Sequence, residues 1–190
     1  MSLGSLPNVF DPAFASDPDS LTKLAHYPSR PPQVGGEQGV GSHKDSGVLT
    51  HLLLESASRG LQVQGLDGQW IDAPPVDGAF VVNIGEVLEV ATDGYLRATP
   101  HRVLTPAGAS PRTSIPFFFG PTLQARVPRL RLPVGLRAET HGISHDESNQ
   151  LHSTYGDNMW KAKMRAHPEA FARWHTDTPR PAATTTHLRN

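Results

Sequence analysis

Between Ser42 and Phe119 the chain never holds one kind of residue for long. Short β-branched and aromatic runs at Val48–Leu54, Leu61–Gln64, Gln69–Asp72, Ala79–Ile84, His101–Thr105 and Arg112–Phe119 are separated from one another by turn residues. Runs of four to eight residues with this punctuation are strands of an all-β sandwich or barrel rather than helices of a bundle. Asp67-Gly68, set between Gln64 and Gln69, is a strong hairpin signal. Gly85–Ala91 reads as one or two helical turns. Glycine (17) and proline (18) together exceed average usage without reaching the disordered range, as expected where many short elements are joined by turns. No internal repeat is evident.

Outside this region the texture differs. Leu21–Tyr27 reads as a first strand closed by Pro28, and residues 28–42, rich in proline and glycine, read as a loop. Within that loop, Gly36-Glu-Gln-Gly39-Val-Gly41 has the look of a phosphate cradle. It neither follows a strand nor opens a helix, so the dinucleotide reading is set aside. Residues 124–140 alternate Arg126, Arg129, Arg131 and Arg137 with apolar groups, the pattern of a solvated edge strand or extended connection. A polar loop then leads to a helix over Tyr155–Ala166 and to a second helical piece from Pro168, with Phe171 and Trp174 on its apolar side. The Thr/Pro/Ala-rich stretch 176–190 is expected to be disordered. The expected units are thus 1–20 as an N-terminal extension, 21–127 as the core, 128–175 as a connection with helices, and 176–190 as a tail.

Charge and composition narrow the function. Seventeen Lys and Arg balance eighteen Asp and Glu, for a net charge of -1. Nucleic-acid binding needs a basic face, and binding to an anionic membrane surface needs a polybasic segment, so neither partner is expected. No run approaches the roughly 18 apolar residues of a spanning helix, and no signal peptide is visible at the amino terminus. A cytoplasmic location is the expectation. With no cysteine in the chain, disulfides, thiolate metal sites and cysteine nucleophiles are excluded. Imidazole and carboxylate are left as the ligands for a first-row metal, and there are ten histidines.

Residues i and i+2 of a strand face the same way, so a His-x-Asp pair can present both groups to one point. His43-Lys44-Asp45 is one such pair, at the mouth of the Val48–Leu54 run; His175-Thr176-Asp177, in the polar tail, is another. Context favours the first, because His101 lies on a later strand. Two imidazoles and a carboxylate on a β-scaffold form the arrangement that leaves one side of a non-heme Fe(II) open. Arg112 and Ser114 also share a strand face, where a guanidinium fork and a hydroxyl suit a carboxylate. A buried arginine requires an anion, and a dissociable dicarboxylate would supply one. The competing cluster His141, His145 and Glu147 sits in a polar segment without a helical stripe and reads as a solvated loop.

At these residues the chain resembles the isopenicillin N synthase-like family of Fe(II)/2-oxoglutarate-dependent oxygenases, its bacterial members most closely. The motifs that carry the likeness are Ser42-His-Lys-Asp-Ser-Gly47, Asp67-Gly-Gln-Trp-Ile71, Phe80-Val-Val-Asn-Ile-Gly85, Tyr95-Leu-Arg-Ala-Thr-Pro-His-Arg-Val103 and Arg112-Thr-Ser-Ile-Pro-Phe-Phe-Phe119, with Tyr155-Gly-Asp-Asn at the start of a C-terminal helix. The resemblance implies a mainly β fold, a double-stranded β-helix or jelly-roll core with C-terminal helices, in agreement with the strand pattern. It implies His43, Asp45 and His101 as iron ligands and catalytic residues. Arg112 and Ser114 are implied to bind the distal carboxylate of 2-oxoglutarate, with Tyr27 beside them. Ala25 stands where the family's Asn-x-Tyr has asparagine.

Fe(II), 2-oxoglutarate as cosubstrate and O₂ are thereby implied, with hydroxylation, desaturation or cyclisation of an organic small molecule and release of succinate and CO₂. Two alternatives stay open: an iron oxidase that does not use 2-oxoglutarate, and a non-catalytic jelly-roll core. Members of the family carry a substantial helical N-terminal segment before this core, and Met1 is expected to fall near the end of it. Residues 1–20 are therefore expected to be a remnant of it, in either a core fragment or a shortened relative. Self-association through an uncovered sheet face is expected in turn.

Overall fold

A computed structural model describes residues 3–29, 31, 38–56, 58–106, 108–144 and 149–174. It contains nine strands and five short helices among the described residues: α1 (Asp11–Phe14), β1 (Ser20–Thr22), β2 (Ala25–Tyr27), β3 (Gln38–His43), β4 (Leu49–Leu54), β5 (Leu61–Gln64), β6 (Trp70–Asp72), β7 (Val81–Ile84), α2 (Glu86–Ala91), β8 (His101–Leu104), β9 (Arg112–Phe119), α3 (Val134–Arg137), α4 (Tyr155–Ala166) and α5 (Pro168–Trp174). The strands form two antiparallel sheets. In one, β1 and β2 both pair with β9, followed by β4 and β7; the other runs β3-β8-β5-β6. From β2 to β5, and again from β6 to β9, the chain crosses from one sheet to the other at each step, as in a jelly roll, while β1–β2 and β5–β6 each stay within one sheet.

The Asp67-Gly68 turn closes the β5–β6 hairpin, with Gln64 opposite Trp70. Gly68 has φ +81°, a left-handed conformation open to glycine at no steric cost. Alternation sets the faces of the first sheet. Along β9, Arg112 and Ser114 are buried on one side, while Ile115 and Phe117 are more than a third exposed on the other. Leu53 lies opposite Ile115 and His51 opposite Phe117, so the outer face continues across β4. One end of that face is covered: Phe14 of α1 stacks on Phe119 with ring centroids 4.7 Å apart. Around them Val48, Val87 and Tyr155 form a hydrophobic cluster with Leu49, Leu88, Val127 and Met159. The Tyr155 hydroxyl donates to Asp19 at 3.1 Å, and burial followed by the Asp19 charge pushes the phenol pKa well up.

Three local expectations are corrected. The run Leu21–Tyr27 is two strands, β1 and β2, in one continuous register on β9. The break falls opposite Pro116, which accepts from the Lys23 N–H at 3.0 Å but has no N–H to return. The expected loop 28–42 ends in β3, which pairs with β8 through two register irregularities that accommodate its glycines. The expected extended stretch 124–140 contains the single-turn helix α3, and its strand-like pairing is one bridge between Arg126 and Thr154. Gly36 of the glycine-rich motif, His145, Glu147, the second pair His175 and Asp177, and the tail from 176 lie outside the described residues. Among the described residues no helix is long and apolar enough to cross a membrane.

Candidate active site

His43 and His101 are direct cross-strand partners at the end of the β3–β8 pair, so both rings project to the same face. Their centroids are 4.3 Å apart at a 54° tilt. Asp45 does not lie on the strand with His43, as the i, i+2 argument supposed; it is in the loop that follows β3. Its carbonyl accepts the Glu86 N–H at the start of α2 (2.8 Å), which turns the loop back toward the histidines. Asp45 Oδ1 is 3.8 Å from His43 Nε2 and 3.7 Å from His101 Nε2. One potential ligand atom from each of the three residues lies within 4.8 Å of the others.

Second contacts orient these groups. The Gly41 carbonyl is 2.8 Å from His43 Nδ1, and the Thr99 carbonyl is 3.1 Å from His101 Nδ1. A carbonyl can only accept, so each Nδ1 carries the proton and each Nε2 turns a lone pair toward Asp45. Asn83 on β7 donates to Asp45 Oδ2 at 3.3 Å, which leaves Oδ1 on the histidine side. Asp45 and His101 are buried; the His43 side chain is 41% exposed, so the centre has an open side. Burial, with help from neighbouring His101, lowers the His43 pKa below the ordinary imidazole range despite the opposing effects of the Gly41 carbonyl and Asp45. The ring is thus held in the neutral form that ligates metals. Two imidazole nitrogens and one carboxylate oxygen with an open side fit a divalent first-row metal.

Arg112 and Ser114 lie buried on the inner face of β9. Arg112 Nη1 donates to the Ser58 hydroxyl at 3.0 Å, while its Nε and Nη2 are buried without a hydrogen-bond partner. Tyr27, opposite Arg112 in the β2–β9 register, places its ring 4.2 Å beneath the guanidinium. Desolvation pulls the Arg112 pKa below its usual value, and Tyr27 opposes this. A guanidinium with two idle N–H directions and a hydroxyl two residues along the strand is a receptor for a carboxylate. The sequence reading gave no role to Ser58 or Asn83. Asn83 is an amide inside the apolar run Phe80–Ile84, and a single polar residue in such a run is the signal that could have marked it. Ser58 carries no such signal, because its partner is 54 positions away.

Comparison with known proteins gives concordant results. The sequence model of the 2OG-Fe(II) oxygenase superfamily matches residues 18–121. A 2-oxoglutarate-dependent dioxygenase of Dothideomycetidae sp. (strain 11243) is 35% identical over 187 residues, covering 91% of this chain and 51% of that protein. The homoarginine-6-hydroxylase of Glycine max is 37% identical over 124 residues, covering 63% of this chain and 37% of that protein. A full-length Neurospora crassa protein, solved in complex with alpha-KG and thymine, superposes with a TM-score of 0.64 at 28% identity, covering 87% of this chain and 49% of that one. The chain therefore spans about half the length or less of the relatives it matches. These relatives are fungal and plant proteins, which does not support the expected likeness to bacterial members in particular.

Proposed function

The chain belongs to the 2OG-Fe(II) oxygenase superfamily, and from that membership we propose that it carries the oxygenase core at residues 21–127 and oxidises an organic small molecule with Fe(II), 2-oxoglutarate and O₂. The observation that carries this reading is the pairing of two features in one fold. These are the convergence of His43, Asp45 and His101, and a buried Arg112 whose Nε and Nη2 lack partners.

In this reading His43 Nε2, His101 Nε2 and Asp45 Oδ1 hold the iron. When bound, Fe(II), 2-oxoglutarate and O₂ supply the oxidising power, with 2-oxoglutarate lost as succinate and CO₂. The chain's own part is orientation. The Gly41 and Thr99 carbonyls fix both imidazole tautomers, and Asn83 fixes the carboxylate. Arg112 takes the distal carboxylate of 2-oxoglutarate through its free fork, with the Ser114 hydroxyl on the same face. Tyr27 supports the guanidinium from below, a cation–π contact of about 0.5–2 kcal/mol. Ser58 holds the third guanidinium direction, so the fork cannot rotate freely.

The test is Fe(II)-dependent turnover of 2-oxoglutarate by the 190-residue chain. Succinate formation that disappears in Arg112→Ala is the expected result. Oxygen consumption with a substrate but no succinate would instead favour an oxidase independent of 2-oxoglutarate. No turnover under any condition would leave a non-catalytic core.

The outer face of the first sheet is the basis for a further expectation. Leu24, Phe80 and Val82 are each more than half exposed, and Leu53, Ile115 and Phe117 are more than a third exposed. Such a patch favours association with a second copy.

A further inference from the structure

Glu89 of α2 is 1% exposed, yet neither of its carboxylate oxygens is idle. Oε1 accepts the Ser144 N–H at 2.8 Å and also the Ser144 hydroxyl. Oε2 accepts the Ala98 N–H at 2.9 Å and the Lys44 ammonium at 3.1 Å. The ammonium in turn donates to the Ser144 hydroxyl. Burial alone would push the Glu89 pKa up; the Ser144 hydrogen bonds and Lys44 outweigh it and leave the carboxyl below its ordinary range. A buried carboxylate is tolerated when its lone pairs are satisfied in this way.

Two of the Glu89 donors come from the segments that carry the candidate metal ligands. Lys44 is the residue between His43 and Asp45. Its ammonium is anchored on α2, at Glu89. Ala98 lies three residues before His101, and the next residue, Thr99, offers the carbonyl that orients the His101 ring. One carboxylate oxygen therefore ties the His43–Asp45 loop to the strand entry that leads to His101.

We propose that Glu89 is a positioning residue for the metal centre: through Lys44 and the Ala98 N–H it holds the His43–Asp45 pair in register with His101, and so sets how tightly and in what geometry the ion is bound. The inference rests on the metal reading above. Groups outside the ligand sphere that orient ligands typically change metal affinity by about 10–100-fold when removed. A role in folding alone would lower stability and leave the affinity of the folded chain unchanged.

The experiment is Mn(II) titration by calorimetry, with Co(II) absorption spectra, on the 190-residue chain. It compares wild type with Lys44→Met, Lys44→Arg, Glu89→Gln and the double variant Lys44→Met/Glu89→Gln. Each is checked for a folded baseline by circular dichroism. Both single substitutions are expected to weaken Mn(II) binding by about tenfold or more and to alter the Co(II) spectrum. Lys44→Arg should restore binding to near wild type. The double variant should lose no more than the weaker single, because the two side chains act as one unit. Should Glu89→Gln fail to fold, Lys44→Met carries the test: its parent side chain is 18% exposed and the substitution keeps the apolar stem. Mn(II) affinity within about twofold of wild type in the folded variants would overturn the proposal even if their melting temperatures fell. A wild-type chain that binds no Mn(II) would overturn the metal reading, and this inference with it.

Discussion

Arg112 has one guanidinium direction bonded to Ser58 and two without a partner, in a buried site stacked on Tyr27. A charge-assisted bidentate contact there should contribute about 1.5–3 kcal/mol, so Arg112→Ala is expected to weaken 2-oxoglutarate binding by roughly 10–150-fold in calorimetry. Arg112→Lys should not rescue it, because a point charge cannot reproduce the fork. At His43 the sign of the pH effect follows from its lowered pKa. As pH falls below about 6.5, the unfolded chain takes up a proton that folded His43 still refuses, so the fold loses stability through that window. An NMR titration of the metal-free chain should place the His43 midpoint below about 6.5. Among the candidate metal and anion residues, His43, Asp45, Arg112 and Ser114 stand in the short patterns His43-x-Asp45 and Arg112-x-Ser114, whereas His101 was reached from its place on a later strand and from the family resemblance. Asn83, Ser58 and Glu89 were not legible in sequence, since each meets its partner across the fold and no spacing encodes that meeting.

Element boundaries follow the same division between local and distant causes. β5, β9 and α4 have the bounds that their residue patterns predict, because turn residues or proline punctuate them on the spot. The split of Leu21–Tyr27 into β1 and β2 was illegible, because its cause is Pro116 on a different strand. β3 was hidden by its glycines; it is a strand only because β8 pairs with it. Close packing of two elements also yields a prediction at Gly85, between β7 and α2. A Cβ there would run into the Gly47 backbone, in the loop just after Asp45. Gly85→Ala is therefore expected to lose about 1–3 kcal/mol in urea unfolding, the cost typical of overpacking. The shift should also reach Asp45 through its bond from the Glu86 N–H and weaken Mn(II) binding.

For the molecule as a whole, the two sheets bring the histidine pair from one and the arginine–serine pair from the other into a single fold, while an apolar face is left on the outside of the first sheet. Sedimentation velocity of the 190-residue chain should show species larger than monomer, and Phe80→Asp combined with Val82→Lys should shift them toward monomer. The account stands or falls on whether this chain assembles iron and 2-oxoglutarate together, and anaerobic titration of Fe(II) and 2-oxoglutarate, followed in the visible region, tests that most directly. The expected result is a metal-to-ligand charge-transfer band that saturates with 2-oxoglutarate and is absent in His101→Ala. Iron binding without the band, or no iron binding at all, would contradict it.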